Sequence, residues 1–245
     1  MRREKESFYK KIYTEDFWYL NTYESLGSQW LIDSIEALHP KRNFRFANLS
    51  ANAAYYEEDA YNYFKDKFNP FFYLGDIYAN EIKKKASHDR FVYLDGQRDA
   101  CEVTTEMLDN MKIDIILDCK GALWHAMEPS NIYLEKTISV LEAYESILSS
   151  DGILLIDYYD GGYWDVLRYR VSGGNRRRKI LKCFGEYSTK KRLRYIFGRD
   201  YLNSHLQTIS TQILKKYPLS KTMGTAAITK NSIKQMIEVL RIKKK

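Results

Sequence analysis

Lys112 to His125 reads KIDIILDCKGALWH, and Leu141 to Asp157 reads LEAYESILSSDGILLID. IDIILD (113–118) and GILLID (152–157) are nearly continuous apolar runs closed by an aspartate, the pattern of strands buried on both faces. Between them, Asn131 to Leu148 sets Leu134, Ile138, Leu141 and Leu148 on one helical stripe. Ser149-Ser150-Asp151-Gly152 reads as a turn. Strand, helix and strand in that order predict two parallel strands joined by a crossover helix.

The same alternation extends upstream. FRFANL (44–49), FFYLGD (71–76) and RFVYLD (90–95) read as strands. Asn52 to Phe68, Ile77 to Ala86 and Val103 to Met111 read as helices, the first closed by Asn69-Pro70. Residues 1–40 read as an N-terminal helical cap over the mouth of the sheet. Its Ser28–Leu38 segment carries Leu31, Ile35 and Leu38 on one face and stops at His39-Pro40. The core spans 41–160. Gly161-Gly162 and Gly173-Gly174-Asn175 then break the chain, and 161–206 reads as a basic insertion. Residues 207–245 complete the sheet with strands at Thr208–Leu214 and Gly224–Ile228 and a helix at Ser232–Ile242. The fold expected is an α/β, three-layer sandwich, a mostly parallel seven-stranded sheet with helices on both faces.

The 245 residues are 44% hydrophobic and 15% aromatic, with only 4 Pro and 12 Gly, which argues for a packed core over disorder. No apolar run reaches the ~20 residues of a spanning helix. The charged start MRREKESFYKK does not read as a secretory signal. Cys101, Cys119 and Cys183 fit no zinc spacing and no disulfide framework, so the expectation is a reducing, cytoplasmic setting.

The net charge of +7 is unevenly spread. Arg168 to Arg199 holds twelve Lys/Arg against Glu186, and Lys215 to Lys245 holds nine against Glu238, so the rest of the chain is net acidic. Segregated positive charge suits an anionic partner.

Ligands of open parallel sheets sit beyond the carboxyl ends of the strands, near the point where strand order reverses. An acid or its amide closes all five strands, at Asn48, Asp76, Asp95, Asp118 and Asp157. Helix capping explains any one of these. It strains to explain five.

With that order of parts, residues 43–160 resemble the class I, Rossmann-like S-adenosylmethionine-dependent methyltransferases. The resemblance lays Asn48 over the acid that ends the family's first strand, and Ser50, Asn52 and Ala54 over its three glycines. It implies Asp76 for the ribose hydroxyls and, for the adenine, Asp95 with Gly96 of the same loop, with Gln97 and Asp99 as rivals. Asp114 falls at the start of the family's fourth strand and Asp118 at its cofactor end, so the resemblance implies a cofactor bed of Asn48, Ser50, Asn52, Asp76, Asp95 and Asp118; LEAYESILSSDGILLID follows the family's helix, turn and fifth strand. S-adenosylmethionine is the implied cofactor. The departure is the missing glycine. Asn tolerates left-handed backbone next best to glycine, and Ser50 and Ala54 are small. Asn48 carries no charge, so a weakened or reshaped cofactor bed is expected. A nicotinamide enzyme is a lesser reading, because its pyrophosphate needs a glycine-rich helix start.

His125, just beyond the fourth strand, is the candidate base for a hydroxyl acceptor, with a turn-capping role as the alternative. Asp157, Tyr158 and Asp160 are placed to orient an acceptor, and Tyr159 and Trp164 to wall a pocket. His39, His88 and His205 read as surface residues. In Arg168–Arg199, RRRKILKCF and KKRLRYIF mix cations with apolar residues. That suits an anionic membrane surface, which would make the protein peripheral, or a nucleic-acid groove; an acidic small molecule or glycan stays open too. The competing function is a non-catalytic, methyltransferase-like protein that binds through this basic segment.

Overall fold

The computed structural model describes residues 28–51, 55–76, 89–94, 99–119, 121–127, 134–160, 189–216 and 219–244. Their elements run α1 (Gln29–Glu36), β1 (Arg45–Asn48), α2 (Tyr55–Phe68), β2 (Phe71–Leu74), β3 (Phe91–Tyr93) and β4 (Ile113–Asp118). There follow α3 (Ala122–Ala126), α4 (Leu134–Ile147), β5 (Leu148–Asp160), α5 (Thr189–Phe197), α6 (Arg199–His205), β6 (Gln207–Lys216), β7 (Leu219–Thr229) and α7 (Lys230–Lys244).

The strands form one seven-stranded sheet in the order β3-β2-β1-β4-β5-β7-β6. The first five are mutually parallel, and β7 runs antiparallel to both β5 and β6. This is the three-layer, mostly parallel arrangement expected from the sequence. β1 leads outward to β2 and β4 leads the opposite way to β5, so the order reverses between β1 and β4.

Period-two alternation sorts the strand residues onto two apolar faces. Phe46, Phe72, Leu74, Phe91, Ile115 and Leu117 meet α1 and α2. Ala47, Tyr73, Ile116, Leu154 and Ile156 meet α4, α5 and α7. On the first face the register pairs Phe46 with Phe72 and Phe72 with Phe91. Their rings stack at 4.5 and 6.1 Å between centroids, an aromatic ladder across three strands. α1 is stitched to the sheet as well, because the Thr225 hydroxyl donates to Ser34 Oγ at 2.7 Å.

Several local expectations change. Val103–Met111 is not a helix. It holds two short 3₁₀ turns, Ala100–Glu102 and Glu106–Leu108. The β-branched run Val103-Thr104-Thr105 disfavours a helix, and Asp109 and Asn110 take left-handed backbone at φ 55° and 59°. Ser149–Gly152 is not a free turn but an irregularity within β5. Leu148 pairs with Ile113, and pairing resumes at Ile153 with Ile115. Asp114 holds this point by accepting from Arg45 N at 2.8 Å and from the Ser149 hydroxyl at 3.2 Å. Gly152 is needed there, since a Cβ would lie 2.8 Å from Leu148 Cδ2 and 3.0 Å from the Ile113 carbonyl oxygen. His205, read as a surface residue, is half-buried and tethers α6 to α7. Its Nε2 lies 2.6 Å from Gln235 Oε1, and its ring stacks on Tyr201 at 4.1 Å. The helix expected at Ile77–Ala86 lies outside the described residues.

The basic C-terminal helix is largely matched by its neighbour. Arg241 pairs with Glu142, Lys244 with Glu135, and Lys230 and Lys234 with Glu145, all on α4. No described helix is long and apolar enough to cross a membrane.

Candidate functional site

The residues that follow β1, β2 and β4 gather around the reversal point, where open parallel sheets place their ligands. The β1 and β2 ends are laced together. Gly75 N donates to the Asn48 carbonyl at 2.9 Å, and Ala51 N donates to the Gly75 carbonyl at 3.0 Å. Asp76, the next residue, is buried beside this seam.

Asn48 is buried and oriented. Its Oδ1 accepts from Ser50 N at 2.9 Å, an Asx turn that shapes the bend in place of a glycine. Its Nδ2 donates to Glu57 Oε1 at 2.6 Å. Glu57 lies in the first turn of α2 and is buried. The Tyr93 hydroxyl, at the end of β3, is buried and has no hydrogen-bond partner among the described residues. Burial pushes its pKa up to about 12, and the charges of Glu58 and Glu57 add to the shift.

Ser50 points across the reversal point at the β4 loop. A Cβ built on Gly121 would lie 2.8 Å from Ser50 Oγ and 2.9 Å from Ser50 Cβ. The two loops therefore touch through these residues. Asn52, Asp95, Gly96 and Gln97, and with them Ala54, lie outside the described residues.

Asp118 is fully buried at 0% exposure. Its Oδ1 accepts from Gly121 N at 3.0 Å. Its Oδ2 accepts from Leu123 N at 2.9 Å and from the Tyr144 hydroxyl at 2.5 Å. Burial raises its pKa to about 6, with a smaller upward push from Asp157, while the three hydrogen bonds pull it down. Both oxygens are thus employed in holding the start of α3.

Asp157 is also buried. It accepts from the Thr189 hydroxyl and, at 3.4 Å, from Thr189 N, the first residue of α5. α5 then reaches α3 through Arg192. Its Nη1 donates to the Trp124 carbonyl at 2.5 Å, and its guanidinium carbon lies 3.5 Å from the Trp124 ring centroid. His125, next in α3, is half-buried, with its ring edge-on to Trp124 at 4.9 Å. The side chains of Tyr158, Tyr159 and Asp160, and all of Trp164, lie outside the described residues.

The structure therefore brings Asn48, Ser50, Asp76 and Asp118 to one end of the sheet, around the reversal point. Asp157 lies at that same end one strand further along, with His125 beyond β4. Sequence reasoning missed Glu57, Thr189, Tyr144 and Arg192. Each is an ordinary polar residue on a helix, and only the fold turns it inward. An acid in a first helical turn normally faces water and favours the helix dipole.

No protein-family model matches the chain, and no curated protein matches it. Solved structures with a similar course of the chain include N-methyltransferase NodS from Bradyrhizobium japonicum WM9 in complex with S-adenosyl-L-homocysteine. It is 11% identical, with 91% of this chain and 97% of that one covered and a TM-score of 0.47. Magnesium protoporphyrin IX methyltransferase (ChlM) from Synechocystis PCC 6803 with bound SAH is 13% identical, covering 85% and 82%, at a TM-score of 0.43. The cyclopropane synthase MmaA2 from Mycobacterium tuberculosis is 13% identical, covering 75% and 62%, at a TM-score of 0.46.

Proposed function

We propose that this chain is an S-adenosylmethionine-dependent methyltransferase acting on an anionic acceptor. The observation that supports it is the placement of Asn48, Ser50 and Asp76 at the β1/β4 reversal of a Rossmann-like sheet. The donor set fits this cofactor. Asp76 is a carboxylate suited to a pair of ribose hydroxyls, and no phosphate cradle is required. Asp95, Gly96 and Gln97 are proposed for the adenine.

When bound, the cofactor supplies a methyl group on a cationic sulfur. The chain's own work is to hold donor and acceptor in line and to keep water out. Asp118 fixes the β4 loop by capping α3. Asp157 sets the start of α5 at the rim and so acts on the acceptor by positioning. His125 takes the proton of a hydroxyl acceptor at its ring nitrogen.

We infer the acceptor class from α5. Its apolar side, Leu193 and Phe197, is packed into the core. An interfacial helix needs that side for lipid. α5 and the start of α6 turn outward Lys191, Arg194, Tyr195 and Arg199, with Asp200 beside the last; Tyr195 is 75% exposed. Cations flanking an exposed aromatic ring suit a phosphate backbone with a stacking base, so a nucleic acid is the acceptor we favour.

A non-catalytic, methyltransferase-like binding protein is the second reading, and the Ser50–Gly121 contact at the reversal point favours it. Calorimetry separates the two. The enzyme reading expects S-adenosylmethionine to bind the full chain and an Asp76→Ala variant to lose that heat. No heat at millimolar cofactor supports the binding protein.

A further inference from the structure

The loop after β1 has no acid of its own, yet a carboxylate lies directly behind it. A backbone N–H only donates, so the Asn48 atom 2.9 Å from Ser50 N is the carbonyl oxygen Oδ1. That fixes the amide and turns Nδ2 towards Glu57 Oε1 at 2.6 Å. An amide nitrogen only donates, so Glu57 presents an acceptor oxygen. Asn48 and Glu57 are 5% and 3% exposed. Little water screens a charge held there, so it acts over a longer range than an exposed one. The Asn48 amide donates to it, and the positive end of the α2 macrodipole lies beside it.

We propose that Glu57 supplies the negative charge of the cofactor mouth, held against the β1 loop by Asn48, and thereby selects a cationic nucleoside. The inference rests on the reading of the β1/β4 reversal as the S-adenosylmethionine site. It gives Glu57 a positioning and charge-setting role. S-adenosylmethionine carries a sulfonium charge that S-adenosylhomocysteine lacks, while both carry the ammonium. A carboxylate behind the loop therefore favours both ligands and favours the sulfonium form more.

The test is calorimetric titration of the wild type, Glu57→Gln, and the exchanged pair Asn48→Asp/Glu57→Gln with both ligands, alongside the melting temperature of each protein. Gln at 57 keeps the shape and an acceptor for Asn48 but removes the charge. The expected result is about tenfold weaker S-adenosylmethionine binding by Glu57→Gln, with a smaller loss for S-adenosylhomocysteine and no drop in melting temperature. The exchanged pair returns the charge one side chain away and recovers the affinity. It also serves as the test if Glu57→Gln does not fold. A Glu57→Gln protein that keeps the wild-type ratio of the two affinities overturns the inference, as does one that loses both ligands equally with a lower melting temperature. A wild type that binds neither ligand overturns the cofactor reading and this inference together.

Discussion

Asp118 shows how one residue can close a strand at the candidate site and still be a structural group. With no exposure and three donors on it, the carboxylate is held inside, and burial lifts its pKa from 3.8 to about 6. The folded chain thus holds this proton more tightly than the unfolded chain does. Stability contributed through Asp118 is greatest below about pH 4, falls as pH rises towards about 6, and is level above that. Two units correspond to roughly 3 kcal/mol. Urea unfolding of wild type and Asp118→Asn across pH 4–7 checks this. The wild type should lose stability relative to the variant over that window, and parallel curves would refute the assignment. In the sequence, Asp118 was legible as a strand-ending acid. Its donors were not, because Tyr144 is 26 residues away and only the crossover helix returns it.

The loops and helices repeat that division. IDIILD was legible to the residue as β4, since a short, nearly continuous apolar run that ends in an acid has little else to become. α5 was not, because KKRLRYIF is read as a basic surface until Leu193 and Phe197 are seen in the core. The β1 and β4 loops are joined by a contact no pattern reveals, Ser50 against Gly121. Gly121→Ala should force these loops apart and cost about 1–3 kcal/mol, the range for overpacking a tight contact. Ser50→Gly in the same chain removes the atoms the new methyl would strike and should restore most of the loss. Chemical denaturation of the two single variants and the double gives the coupling, and additive losses would show that the loops do not meet there.

Across the molecule, the charge map is less simple than its total. The cations of α7 are spent largely on the acids of α4, whereas Arg194 and Arg199 have no ion pair among the described residues. Fluorescence anisotropy with a labelled single-stranded oligonucleotide should show salt-dependent binding that weakens in Arg194→Ala/Tyr195→Ala. Equal binding by that variant, or stronger binding to anionic phosphatidylserine vesicles, would contradict the assignment of α5 to nucleic acid.

The central claim is that the β1/β4 reversal holds a sulfonium nucleoside or its product. Hydrogen exchange of the full chain, with and without S-adenosylhomocysteine, tests that placement most directly. Slowed exchange concentrated in peptides covering 48–51, 75–76 and 118–121 is the predicted result. Unchanged exchange there at saturating ligand, or protection confined to the opposite ends of the strands, would contradict it.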